Sequence, residues 1–278
     1  MGRLKALSLA GMIMFGGAGS ALAADLLPPP PPVDAPLRGA IFENSGFYVR
    51  GDAGVAINNP GPGSSTITGT TLTNLTYDWQ HESVGAIVGL GAGYQFNSWF
   101  RADLTGEWHD GGKWTSQESY DSTGCVNTGT GRCLDQYSAK INHGVFLANG
   151  YADLGTWGGL TPYVGVGLGT AYNSIGGITD TFPTFPGTPA VSNSATKWTF
   201  AWALMAGMSF DVTQNLKLDV SYRYLNMGSM DGGTVVCNGA CGIRETQHFK
   251  FSSNDIRIGL RYMFGEVPPP PPVLVRKY

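Results

Sequence analysis

The sequence is poor in charge and has no cluster of basic residues. Asp, Glu, Lys and Arg make up 13% of its 278 residues, and the formal net charge is −3. The charged share is about half of that in an average soluble domain. A protein that binds nucleic acid needs grouped Lys and Arg side chains to neutralise phosphates. We therefore expect no nucleic-acid partner.

Long apolar runs are absent as well. After the N-terminal region, no segment reaches the 18 consecutive apolar residues of a membrane-spanning helix, which excludes a helical membrane protein. Near the start, two cations precede the apolar stretch 6–15, which is too short to span a bilayer. Residues 21–23 have the A-x-A form that signal peptidase cuts after. We predict a signal peptide at residues 1–23, cleaved between Ala23 and Ala24, and an exported mature chain.

What the chain has in abundance is glycine, 41 residues, set in segments of period two. In residues 84–96, for example, Val, Ala, Leu, Tyr and Phe alternate with Gly and Gln. Strict alternation predicts β-strands whose two faces differ. Eight such segments occupy about residues 46–57, 84–96, 99–109, 139–154, 160–172, 198–211, 216–225 and 254–264.

The connections between these segments alternate between short and long. Short turns are predicted at residues 97–98, 155–159 and 212–215. Polar loops of roughly 25 residues are predicted near 58–82, 110–137, 173–197 and 226–250. Short turns at one rim and long loops at the other are typical of up-and-down barrels in bacterial outer membranes. The pattern predicts an all-β fold, an eight-stranded antiparallel up-and-down transmembrane β-barrel with long extracellular loops.

The two faces of the strands differ in volume and charge. One face collects large apolar side chains, and the other carries glycine together with six acids and six bases. Because an eight-stranded barrel has room inside for little more than side chains, we expect the charged face inside and the apolar face against lipid. Unpaired charges would each cost several kcal/mol in the lumen, so we expect these to pair. The predicted lumen charges are Arg50, Asp52, Arg101, Asp103, Glu107, Asp153, Lys217, Asp219, Arg223, Asp255, Arg257 and Arg261.

The opposite arrangement of the two faces is the alternative. A soluble lipocalin-like barrel would place the apolar residues around a ligand cavity and the charges in water. In lipid, by contrast, an open sheet edge would leave backbone groups unsatisfied, so a membrane barrel must close on itself. Aromatic residues near the strand ends, such as Trp99, Trp108 and Phe210, suit the girdles at the two membrane interfaces. We therefore favour the membrane barrel.

Several segments resemble the small eight-stranded outer-membrane proteins of Gram-negative bacteria, the outer-membrane immunogenic proteins with RopB-type members. The matching stretches are GFYVRGDAGV (46–55), NSWFRADLTGEW (97–108), TPYVGVGLG (161–169), DVTQNLKLDVSYRYLNMG (211–228) and DIRIGLRYMF (255–264). The resemblance implies an integral outer-membrane barrel of the OmpA and OmpX type. It further implies surface-exposed antigenic loops and a structural or adhesive role, with no catalytic residue.

Both ends of the mature chain carry the run PPPPPV, at residues 28–33 and 268–273. An even number of strands places both termini in the periplasm, and such runs form stiff polyproline II segments that could act as spacers toward the cell wall. The alternative is a pair of solvated tails with no partner. Members of the class usually end at an aromatic residue that the barrel assembly machinery recognises, and Phe264 fits that role, although the chain continues beyond it. We therefore predict a proline-rich segment at 24–45, a barrel at 46–264 and a tail at 265–278.

The four cysteines fall into two close pairs, Cys125 with Cys133 and Cys237 with Cys241. In an exported chain, disulfides are expected. Of the three possible connectivities, pairing within each loop is the simplest. The alternative is a metal site made by Cys237, Cys241 and His248, but this spacing lacks the second ligand pair of a zinc module. We expect no metal and no cofactor.

Some small outer-membrane barrels are enzymes that modify lipid, so the histidines matter. His109 and His143 lie near the loop ends of adjacent predicted strands and could come together. No serine has the position that would mark it as a nucleophile. We therefore expect two solvated residues at the barrel rim and no enzyme.

The sequence thus predicts a structural barrel with a closed, salt-bridged lumen, which contributes to envelope integrity and displays loops for antigenic or adhesive contacts. The expected partners are outer-membrane lipid, lipopolysaccharide, the barrel assembly machinery and the cell wall. A narrow porin-like channel is the alternative, disfavoured because water-filled channels usually need about 16 strands. A lipid-modifying enzyme is the third hypothesis.

Overall fold

The computed structural model describes residues 45–61, 63–69, 73–121, 132–183, 189–236 and 244–264, and all of the regular structure in them is β. Among these residues no helix is long and apolar enough to cross a membrane. The strands are β1 Gly46–Pro60, β2 Ser64–Thr68, β3 Thr73–Glu82, β4 Gly85–Gln95, β5 Phe100–Asp121, β6 Arg132–Asp153, β7 Leu160–Ile175, β8 Thr179–Thr181, β9 Ala190–Val191, β10 Ala195–Asp211, β11 Leu216–Asp231, β12 Val235–Val236 and β13 Arg244–Phe264.

The eight long strands form a closed antiparallel ring. Each pairs with the next long strand in the chain, in the order β1, β4, β5, β6, β7, β10, β11 and β13. The last strand then pairs with the first, with Phe47 opposite Phe264. Closure gives every strand two neighbours, so the backbone groups along the ring are satisfied within the sheet. The predicted all-β barrel is confirmed, and the short turns lie together at one end, here called the turn end.

The long polar loops predicted from the sequence are wrong over much of their length. β5 and β6 continue as a paired hairpin to Asp121 and from Arg132, and β13 begins at Arg244. Residues 226–231, assigned to a loop, belong to β11. In these segments many outward residues are Ser, Thr, Gln or Lys and several inward ones are polar too, so the hydrophobic alternation that marks a strand in lipid is lost.

These strand ends, together with the short strands, build a second tier on the barrel, which we call the extension. It consists of β2, β3, β8, β9 and β12 with residues 112–121 of β5, 132–141 of β6 and 244–250 of β13. The pairing runs from β3 through β5, β6, β8, β9, β12 and β13 to β2. Within the described residues β2 and β3 do not pair with each other. The extension is therefore a ring with one open seam, between β2 and β3.

Two β-bulges lie near the junction of barrel and extension. The register shifts between Asp110 and Gly112 in β5 and between Asn226 and Ser229 in β11. Gly112 and Gly228 have φ angles of +74° and +75°, which a side chain with a Cβ would strain. Bulges at barrel rims bend a strand and change its twist, so these two positions redirect β5 and β11 where the wall passes into the extension.

The interior is filled from two sides. Charged residues of β1, β5, β11 and β13 face small apolar and tyrosine side chains of β6, β7 and β10, such as Val145, Ala171 and Met205. Toward the extension the apolar cluster grows to include Trp114, Ile141 and Phe249. The outward face of the wall carries large exposed apolar residues, as a surface in contact with lipid requires. The fully buried apolar side chains thus lie mainly in the lumen of the barrel and in the core of the extension.

Glycines on the inner face make room for the large lumen side chains. A Cβ added to Gly93 would lie 2.6 Å from the Tyr48 ring, closer than carbon atoms can approach, and would also collide with the wall of β5. Gly51 instead lies on the outward face of β1, between Arg50 and Asp52, and a Cβ there would lie in ordinary contact, 3.5 Å from Leu90. Inner glycines are thus a packing requirement of the filled lumen.

We predict that Gly93→Ala lowers the stability of the folded barrel by about 1–3 kcal/mol, the usual cost of overpacking a filled core. The matched variant Gly51→Ala is expected to be neutral or slightly stabilising, because alanine loses less backbone entropy in a strand. Guanidinium unfolding of both proteins in detergent micelles measures the difference. Equal stabilities for the two variants would contradict the filled interior.

Candidate functional site

The centre of the lumen is a carboxylate that receives two arginines from the opposite side of the barrel. Glu107 on β5 accepts hydrogen bonds from Arg223 of β11 at 2.8 and 3.0 Å and from Arg257 of β13 at 2.8 Å. Asp255 holds the other side of the Arg223 guanidinium at 2.7 Å. Since β5 has neither β11 nor β13 as a neighbour in the ring, these bonds cross the lumen.

A second group continues the network toward β1. Arg50 forms ion pairs with Asp52 at 2.7 Å and with Asp103 of β5 at 3.2 Å, and it donates to the Tyr151 hydroxyl at 3.1 Å. Asp52 also lies 3.3 Å from Arg257, which joins this group to Glu107. All of these charged side chains are buried.

Two further pairs lie toward the turn end. Arg101 binds Asp153 at 3.1 Å, and Arg261 binds Asp219 at 3.2 Å. The Arg101 guanidinium also lies over the Tyr151 and Tyr163 rings, 4.3 and 4.5 Å from their centroids. Such stacking on two rings favours a cation that is excluded from water.

The structure brings eleven of the twelve predicted lumen charges into these groups and leaves out Lys217. That side chain is only partly buried and pairs with Asp211 across the turn between β10 and β11. Its place in the strand has the inward parity of Asp219, but at this last position before the turn its side chain reaches the partly exposed Asp211. A surface pair of this kind contributes about 0–1 kcal/mol.

The expectation of solvated rim histidines is wrong. His109 and His143 lie opposite each other on β5 and β6, and each is 1% exposed. His109 Nε2 is 3.2 Å from Glu107, and His143 Nδ1 is 2.6 Å from Asn173. In the described part of the chain no serine or threonine hydroxyl is hydrogen-bonded to either ring. Both rings belong to the packed interior, because the extension covers the level that the sequence suggested was a rim.

The extension holds a set of buried carboxyl groups that the sequence analysis did not single out. Its four members come from four strands of the extension, and we call them the acidic cluster. Their exposed fractions range from 1% to 7%. The only signal in the sequence was the continued alternation of β5 and β13 beyond the apolar segments. The acidic cluster consists of Glu118, Asp135, Asp180 and Glu245.

Neutral donors hold the acidic cluster together. Tyr137 donates to Glu245 at 2.7 Å. Gln247 donates to Glu245 at 2.8 Å and to Glu118 at 3.1 Å, which links two of the carboxyls. Burial raises the pKa of Glu118 to about 8, and the neighbouring Glu245 charge adds to this effect. The same two causes, burial first, raise the pKa of Asp135 to about 7.

The predicted disulfides and the metal alternative fall largely on residues that the structure does not describe. Cys133 is buried at the start of β6, whereas Cys125, Cys237 and Cys241 lie outside the described residues. His248 bonds to Asp231 and to Thr66. Among the described residues no group of three or more His, Cys, Asp or Glu is placed to hold a metal ion.

A comparison with known protein families matches residues 35–264 to the outer membrane protein beta-barrel domain. The chain belongs to this family. The match spans all thirteen described strands and ends at Phe264, the last residue of β13. It therefore places this protein among the integral barrels of the outer membrane.

Individual proteins are similar to this chain as well. An uncharacterized protein of Brucella abortus (strain 2308) is 32% identical, with 79% of this chain and 85% of that protein covered. A protein of Rickettsia prowazekii (strain Madrid E) that is named as a candidate adhesin is 27% identical over 78% of this chain and 86% of its own length. The crystal structure of OprG from Pseudomonas aeruginosa aligns with a TM-score of 0.49 at 15% identity, covering 81% of this chain and 98% of that one.

We predict that Glu107→Ala destabilises the barrel by about 3–5 kcal/mol, because Arg223 and Arg257 then lose a buried partner. The matched control Lys217→Ala removes a charge of the same barrel whose partner is partly exposed, and it is expected to cost no more than about 1 kcal/mol. The temperature at which the folded protein changes its mobility in SDS gels reports the difference. A Glu107→Ala protein as heat-resistant as the Lys217→Ala control would mean that water, and not ion pairing, satisfies the lumen charges.

Proposed function

We propose that this protein is a non-enzymatic outer-membrane barrel with a closed lumen, which stabilises the envelope and presents its extension outside the cell for adhesive contacts. The observation that carries the proposal is the set of bonds across the lumen, above all those from Arg223 and Arg257 to Glu107. A water-filled path would have to break them. Eight strands also leave little free space once the inner side chains are in place.

The buried side chains of the lumen disfavour the two alternative functions, a channel and a lipid-modifying enzyme. A channel needs polar groups that face water, whereas here the charges are buried and face each other. A lipid-modifying enzyme needs its reactive groups at the lipid-facing surface with a nucleophile beside the base. His109 and His143 instead lie inside the wall and bond to Glu107 and Asn173.

The extension supports an adhesive role, because it is a folded tier with its own buried core. Trp114 packs against Phe249 with ring centroids 4.8 Å apart, and Phe249 stacks on Phe251. A rigid platform loses less entropy on binding than a mobile loop does. Val191 and Val236 lie opposite each other on this platform and are about half exposed, which forms a small apolar surface. The Rickettsia relative bears an adhesin name, which agrees with this role.

The remaining features of the chain fit the same proposal. We assign residues 1–23 to a cleaved signal peptide, and 24–45 and 265–278 to periplasmic segments that reach toward the cell wall. Phe264 would be the aromatic residue that the barrel assembly machinery recognises. The cysteines would pair within their loops, Cys125 with Cys133 and Cys237 with Cys241. Lipopolysaccharide would surround the wall next to the extension.

The adhesive role is tested by displaying the protein on a non-adherent bacterial host and counting the bacteria that bind to cultured cells. We expect binding above that of the empty host, reduced at least about fivefold by the double change Val191→Ser and Val236→Ser, which corresponds to a loss of roughly 1 kcal/mol. Ser194→Ala, an exposed polar site near Val191, serves as the control and is expected to bind like the original.

Heat-dependent mobility in gels and protease sensitivity of intact bacteria establish that each variant is folded and exposed. A folded, surface-exposed original protein that binds no better than the empty host would refute adhesion, and the closed barrel would then have a structural role alone.

A further inference from the structure

Among the residues that the structure describes, the groups facing the acidic cluster include no basic side chain. Among the described residues of the extension, the cations Lys113, Lys140, Arg244 and Lys250 occupy exposed positions. The Arg132 side chain donates to the backbone carbonyls of Asn74 and Ser119 and lies near the exposed Asp121. The connecting segments 70–72, 122–131, 184–188 and 237–243 contain no Lys, Arg or His. No basic side chain in the described part of the extension is therefore buried with the cluster.

Asp180 is the member of the acidic cluster with the fewest hydrogen-bond partners among the described residues. Its side chain is 3% exposed, and its Oδ1 atom has no hydrogen-bond partner in the described part of the protein. Asp135, Glu245 and Glu118 act on it as neighbouring acids, in that order of strength. A carboxylate that is buried without a partner and beside other carboxylates is strongly disfavoured. A proton on this group removes the conflict.

The groups that face the cluster come from every strand packed around it, and none of them is basic. They are Ser65 of β2, Tyr77 of β3, Glu118 and Tyr120 of β5, Asp135 and Tyr137 of β6, Asp180 of β8, and Glu245 and Gln247 of β13. With no basic side chain among these groups, we take protons as the species that neutralises the cluster.

The seam between β2 and β3 is the place where the extension can open without breaking backbone pairing between strands. β2 is held by β13 and β3 by β5, but the two strands share no backbone pairing among the described residues. Tyr77 of β3 reaches Gln247 of β13 with its hydroxyl group, and Gln247 in turn donates to Glu118. One bond that ties the two sides of the seam therefore ends on the acidic cluster. A second, from the Gln80 side chain of β3 to the backbone carbonyl of Gly61 before β2, lies outside the cluster.

We propose that the extension is a proton-dependent closure, which stays packed while the acidic cluster carries protons and opens along the seam between β2 and β3 when the cluster ionises. Ionised Glu118 and Glu245 would repel each other across Gln247, and ionised Asp180 would draw water into the core. This proposal concerns the extension alone and does not depend on adhesion.

The direction of the pH effect follows from proton binding. In the closed form burial raises the pKa of Asp180 to about 9 and that of Glu118 to about 8, from ordinary values of 3.8 and 4.5. Opening returns these groups to water, so the closed form binds more protons between about pH 4 and pH 8. Raising the pH through this window therefore favours the open form, and the closed form has its full stability below about pH 4.

Hydrogen exchange measured by mass spectrometry tests the proposal on the full-length protein in lipid nanodiscs with EDTA. After correction for the pH dependence of intrinsic exchange, we expect the protection of residues 64–68 and 73–82 to fall at least about tenfold between pH 6 and pH 8.5. An opening that releases one proton changes by about tenfold for each pH unit below the closed-form pKa. Residues 201–210 of β10, in the barrel wall, are the internal reference and should not change.

Substitutions in the acidic cluster test whether its carboxyl groups cause the pH dependence of the protection. Glu118→Gln with Asp180→Asn should keep the extension protected at pH 8.5, because amides fill the same space and do not ionise. Asp121→Asn removes an exposed carboxyl from the same strand as Glu118, and it should behave like the original protein. If the double variant does not give the heat-modifiable folded barrel, Glu118→Gln alone is used, since its amide oxygen can still accept from Gln247.

Protection that does not change with pH in the original protein would overturn the proposal. So would an unchanged pH dependence in a folded variant of the cluster, because the titrating group would then lie elsewhere.

Discussion

The structure depends on one constraint, that a backbone surrounded by lipid must satisfy its own hydrogen bonds. Eight strands meet this requirement by closing on themselves, with β13 paired to β1 from Phe47 opposite Phe264 onward. Once the wall is closed, the two-residue period assigns each side chain to lipid or lumen. The glycines of the inner face and the large apolar residues of the outer face are both consequences of that assignment.

The narrow lumen imposes the second condition. Any charge that points inward is removed from water, so it needs a partner of opposite sign with good geometry. Glu107 meets this need with Arg223 and Arg257, and Asp103 meets it with Arg50. The extension solves the same problem differently, because its acidic cluster has tyrosine and glutamine donors and no cations. The two tiers of one interior therefore balance their charges differently: the lumen pairs its acids with arginines, whereas the acidic cluster has only neutral donors among the described residues.

Sequence reasoning is reliable where one physical contrast dominates. Between Phe100 and Trp108 the outward residues meet lipid and the inward ones meet charge, so the alternation is plain and the strand could be predicted. Beyond Asp110 the outer face meets water, and the strand continues with Lys113, Thr115 and Gln117 outside, which reads as a polar loop. Long-range pairing of β5 with β6, not local preference, decides the structure there.

The same limit explains what was missed in the site. The lumen charges could be found because their parity is continuous and their signs balance, while the bonds from β11 and β13 to β5 depend on the closed ring and could not. The sequence predicts a rim at His109 and His143 because the strands of the extension that bury them lack hydrophobic alternation. The acidic cluster unites residues of four strands, among them the three-residue β8, which carries too little periodicity to be recognised.

The central claim is that the lumen is closed by its own side chains. Recordings of the purified, heat-modifiable barrel in planar lipid bilayers test it most directly. The account predicts no steady unitary conductance, since any ion path would have to break the bonds of Glu107 with Arg223 and Arg257. Stable and reproducible channel openings from the folded protein would contradict it.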